Sequence, residues 1–95
     1  MAVLFLACAS DGAQPPPDLA TVWRDFLELP SERALAIAGD PRRDRWVTAA
    51  SAGHATRERA EAEALSECQI RRQMRRMQAA CVLYAVGDEI VWRGR

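Results

Sequence analysis

Apolar positions recur at two different periods along this chain, and the switches between them mark its elements. Leu19, Val22, Trp23, Phe26 and Leu27 fall at helical spacing and predict an amphipathic helix. Asp18 is placed to cap that helix, and Pro30 ends it by biasing Leu29 away from the helical region. From Ala34 to Ala38 the larger Leu35 and Ile37 alternate with alanine, which is strand periodicity. Gly39-Asp40-Pro41 is a turn signal, Arg42–Asp44 a charged tip and Arg45–Ala52 a second strand. These make a hairpin with a loop of about six residues.

The stretch Arg57–Met77 contains neither glycine nor proline and predicts a long helix capped by Thr56, with Glu58 in its first turn. Ala60, Ala64, Leu65 and Cys68 share one side; Ile70, Met74 and Met77 lie on another, so the helix changes its packing or ends in the mid-seventies. Cys81–Val86 reads as a strand rich in β-branched and aromatic residues, Gly87-Asp88 as a tight turn and Glu89–Trp92 as a last short strand. The order α-β-β-α-β-β predicts one small α+β domain over residues 18–95, an antiparallel sheet packed on the long helix.

Composition limits what such a domain can do. The chain has 95 residues and a formal net charge of zero, which argues against long-range steering to nucleic acid or to membranes. Its 13 basic residues are all arginine, and asparagine is absent, a bias read as that of a GC-rich bacterial genome. Much of the hydrophobic content is alanine, which buries little area. Trp23, Trp46, Trp92, Phe26 and Tyr84 must therefore supply a large share of the core.

Three cysteines leave one unpaired. Cys68 and Cys81 are read as a staple between the long helix and the following strand. In one unbroken helix they would stand about 20 Å apart, beyond the roughly 4.4–6.8 Å between Cα atoms that a disulfide requires. The bond therefore demands that the chain reverse before Ala80. The competing reading is two buried free thiols in a cytosolic protein.

Residues 1–8 are read as the remnant of an export or lipoprotein signal. Met1–Ala7 is wholly apolar, and Phe5-Leu6-Ala7-Cys8 matches a lipobox imperfectly, since Leu6 is larger than usual. The stretch is short for a signal peptide and lacks a basic lead, so a start upstream of Met1 is expected, with Cys8 the acylated residue. It also falls well short of the roughly 20 apolar residues of a membrane-spanning helix. Residues 9–17, small, polar and ending in Pro15-Pro16-Pro17, read as a linker.

The constellation Ala60-x3-Ala64-Leu65-x2-Cys68, Cys81-x-Leu83-Tyr84-Ala85-Val86 and Val91-Trp92 resembles a small secreted proteobacterial domain of unknown function. The resemblance spans roughly Trp23–Trp92 and takes in the alanine-rich and tryptophan-bearing strands of Arg33–Gly53. It implies residence in the periplasm or at the outer membrane and a structural role for the two cysteines, and it carries no activity. The arginine-rich segment before Cys81 departs from the pattern.

Candidate chemistry is sparse. His54 is the only histidine, so a small enzyme would rest on it, with Asp40, Asp44 or Glu58 as acidic neighbours. Three cysteines and one histidine at these spacings make no metal-ligand set, and no cofactor is expected. Arg71, Arg72, Arg75 and Arg76 form a basic ridge able to meet an anionic partner, an envelope component or an acidic protein, with nucleic acid disfavoured. Glutamates earlier in the helix offset that charge, and pairs such as Glu67–Arg71 are its local use. The apolar face of Leu19–Leu27 is a secondary contact candidate. The expectation is a non-catalytic exported envelope module. The alternatives are a cytosolic arginine-rich binder of an anionic partner and an enzyme using His54.

Overall fold

The computed structural model describes residues 19–42 and 45–93. The expected signal remnant with Cys8, the linker, the Asp18 cap, and Arg43 and Asp44 of the hairpin tip lie outside the described residues. The elements run α1 (Ala20–Leu27), β1 (Ala34–Gly39), β2 (Trp46–Ser51), α2 (Arg57–Met74), β3 (Cys81–Val86) and β4 (Glu89–Ile90). Four antiparallel strands form one sheet in the order β2-β1-β3-β4.

β1 lies inside the sheet, and both of its faces are buried. Ala34, Ala36 and Ala38 face α2, where they meet Ala60, Ala64 and Cys68. Leu35 and Ile37 point the other way, into a cluster with Leu19, Phe26 and Tyr84. Small residues let the long helix approach the sheet closely; the larger ones fill the space under α1. The alternation read in the sequence thus separates two apolar faces rather than an apolar face from a wet one. The domain has three layers, with α2 on one face and α1 on the other.

α1 turns most of its apolar face into the molecule, with Val22 and Trp23 half-buried, which leaves little of the Leu19–Leu27 face open to a partner. Leu19 and Phe26 are buried, and Trp23 stacks with Phe26 at 5.8 Å and meets the Tyr84 ring edge-on at 6.3 Å. Leu27 departs from the expected stripe and is exposed. A bulge in β3 supports this layer. Leu35 pairs with Ala85 but Ala36 pairs with Leu83, so Tyr84 is the extra residue and joins Ala85 in the α1-side cluster. The Tyr84 carbonyl accepts both Val91 N–H and Trp92 N–H, which ends the β3–β4 ladder early. β4 is therefore shorter than the expected Glu89–Trp92.

α2 begins at a Thr56 cap whose hydroxyl accepts the Arg59 N–H at 3.2 Å. Deeper in, the buried Ser51 hydroxyl donates to the Ala60 carbonyl and locks the end of β2 to the helix. At the far end Arg76 N–H donates to Gln73 O and Met77 N–H to Arg72 O, a Schellman closure with Arg76 at φ 56°. Met77, carried past the closure, turns back into the α2-side core.

Candidate functional site

The reversal at Arg76 brings Cys81 back under the helix. Cys68 on the buried side of α2 and Cys81 at the start of β3 form a disulfide with Cα atoms 6.1 Å apart. The bond crosses from α2 to the third strand and closes the turn, residues 75–80, that joins them. Leu83 and Ala79 pack beside it.

The four ridge arginines do not act as a unit. Arg72 turns into the reversal, where its guanidinium donates to the Met77 carbonyl at 3.0 Å and the Ala79 carbonyl at 3.3 Å. Arg71 points over β2, donating to the Thr48 carbonyl at 3.0 Å while Glu67 stands 3.9 Å away. The Arg75 carbonyl, left over at the helix end, accepts from the Arg45 guanidinium at 2.6 Å. The Arg75 side chain lines an open groove; Arg76 is exposed at the closure.

That groove, about 560 Å³, runs between the last turns of α2 and the outer edge of β2. Arg45, Arg71 and Arg75 surround it, and Trp46, Thr48 and Met74 give it a partly apolar wall. The sequence offered Trp46 only as a core residue and did not single out Arg45 as a contributor. Arg45 opens a strand, where no periodicity ties it to a helix. A smaller groove of about 280 Å³ lies along the same strand between α1 and Ala50. A third, about 490 Å³, is walled by Val82, Val91 and Trp92 beside Gly39 and Asp40.

His54 lines none of these three grooves. It is half-buried, and its backbone exchanges hydrogen bonds with that of Glu32 at 3.2 and 3.3 Å. Glu32 precedes β1, whereas Asp40 follows it and accepts the Arg42 N–H through its carboxylate. A six-residue strand separates them, about 20 Å of extended chain, so the structure does not gather His54 and Asp40. Glu58 sits exposed in the first turn of α2, and Asp44 is outside the described residues. Among the described residues no three His, Cys, Asp or Glu side chains are grouped to hold a metal ion, and no helix is long and apolar enough to cross a membrane.

Charge along α2 is sorted. Arg57 pairs with Glu61 at 2.9 Å, which raises the Arg57 pKa through that hydrogen bond and the Glu61 charge. Beyond Arg59, Glu61, Glu63 and Glu67 precede Arg71 and Arg72, which stand in the last turn. Comparisons with protein-family models, with curated proteins and with solved structures found no match to this chain.

Proposed function

We propose that this protein is a non-catalytic module of the bacterial envelope, exported and tethered by a lipid at Cys8. The observation that carries the reading is the Cys68–Cys81 disulfide, which suits an oxidising compartment such as the periplasm. A thin core in a chain of this length gains most from such a staple. The apolar stretch before Cys8 and the Pro-rich linker after it agree with export and tethering. The exposed Arg75 and Arg76 side chains, with Arg45 beside them, offer guanidinium groups to an anionic envelope component or acidic protein.

Fractionation of the native host tests this directly. The protein should appear with the envelope and should incorporate labelled fatty acid, with Cys8→Ser abolishing the label and releasing the protein from the membrane fraction. Recovery from the cytosol would refute export. Recovery from the soluble periplasm without label would refute the tether alone.

A further inference from the structure

We infer that the outer edge of β2, together with the flank of α2 above it, is the interface of a two-fold dimer of this chain. The inference does not depend on export or on the Cys8 tether.

Among the described residues, β2 is a six-residue strand with a neighbour on one side only. Its Thr48 carbonyl points away from β1, because it accepts from the Arg71 guanidinium. By the alternation of an antiparallel ladder, Trp46 and Ala50 also turn their backbone groups outward. Among the described residues, a single exposed hydrogen bond from Arg71 covers this row, and grooves flank the edge on both faces of the sheet. An open edge of this length is a template for another strand.

The flank of α2 above that edge says which strand. Ile70 and Met74, one turn apart, are 50% and 79% exposed, the largest apolar exposures on the helix. Glu63 and Glu67 precede them on the same flank, and Arg71 and Arg75 accompany them. α2 runs antiparallel to β2, since Ser51 meets Ala60 at one end and Arg45 meets Arg75 at the other. A second copy paired antiparallel through β2, with Thr48 opposite Thr48, would lay the two α2 helices side by side in opposite directions. Glu63 and Glu67 of each copy would then face Arg75 and Arg71 of the other, across a seam of Ile70 and Met74. α2 packs over β2, β1 and β3, which sets its axis about 4.8 Å, one strand spacing, inside the edge; the two helix axes would then stand about 14 Å apart, a gap that the facing Ile70, Met74, glutamate and arginine side chains would bridge. The sorting that cancels charge within one chain is the pattern an isologous contact requires.

Sedimentation of the purified full chain, from micromolar to near-millimolar protein, tests the inference. The expected species has twice the 10.6 kDa protomer mass. Ala50→Pro removes an outward N–H without touching the β1–β2 ladder and should give a folded monomer, its fold checked by circular dichroism. Arg71→Glu with Arg75→Glu should weaken the dimer about tenfold or more, and mixing that variant with Glu63→Arg/Glu67→Arg should restore a mixed dimer. A wild-type monomer throughout the range, or a dimer that survives Ala50→Pro, overturns the inference. So does a monomer that instead takes up an added acidic peptide along this edge.

Discussion

Arg72 and Met77 hold one another twice: the Arg72 carbonyl accepts the Met77 N–H at 2.9 Å, and the Arg72 guanidinium donates to the Met77 carbonyl at 3.0 Å. This pair turns the chain out of α2 and aims it at β3, and Ala79 O is held by the same guanidinium. Arg72→Ala should lower stability by about 1.5–3 kcal/mol, the range for hydrogen bonds to a charged donor. Arg72→Lys should recover little, since an ammonium cannot present the same planar fork. Urea denaturation reads both; an unchanged midpoint for Arg72→Ala would show that the turn holds without it.

Arg76 occupies the left-handed position of the closure at φ 56°, where glycine is the usual residue. A side chain there costs about 1–2 kcal/mol, and a glycine adds entropy to the unfolded chain. Arg76→Gly should therefore stabilise by a net of about 0.5–1 kcal/mol. A lower urea midpoint in that variant would contradict the conformation assigned to this residue.

Gly39 ends β1 at φ 97°, and a Cβ there would meet the Arg45 carbonyl at 2.2 Å. Backbone stands on the other side of that contact, so no rotamer change relieves it. Gly39→Ala should destabilise by about 3 kcal/mol or more, combining strain with a displaced hairpin. Gly87, also at positive φ but with open space around its Cβ position, should tolerate alanine better. Thermal melts of the two variants side by side check the ranking.

Most of the fold was legible because each element carries its own local signal. Thr56 caps α2 as expected, and the alternation of β1 and the turn at Gly87 are in place. A bond between Cys68 and Cys81 requires the chain to reverse before Ala80, and the reversal occurs at Arg76. Other features depend on tertiary context. Nothing in Arg76 itself announces a left-handed closure, since the position is set by Met77 returning to the core. The shortness of β4 follows from Tyr84 O taking two donors, which depends on a bulge in β3. Leu27 fits a helical stripe in sequence, but it is the last residue of α1 and is left exposed there. Helical spacing carried through Arg76 makes the arginine ridge continuous in sequence. The helix ends at Met74, and its arginines part company there, Arg72 toward the turn and Arg71 toward β2.

Burial of the Tyr84 ring raises its phenol pKa above the ordinary 10.0. Folding then favours the neutral phenol. Its stability contribution is complete below pH 10.0 and is lost as pH rises through the higher folded-state value. The chain has one tyrosine and no lysine, so no other side chain obscures this range except a free thiol at its lower end. Absorbance titration of the phenolate should show ionisation displaced upward and coupled to unfolding. Tyr84→Phe should remove that alkaline loss; a phenol titrating normally in folded protein would contradict the burial.

The clamp between Cys68 and Cys81 closes a loop with a sequence separation of 13 and should contribute up to about 3 kcal/mol. In a domain with a net stability of about 5 kcal/mol that contribution decides whether the fold persists. The most direct measurement is mass spectrometry of protein taken from its native host and alkylated before any reductant is added. The account predicts that Cys68 and Cys81 resist alkylation and are recovered as one cross-linked peptide. Both thiols found free and alkylated would contradict it, and with it the oxidising compartment proposed for this chain.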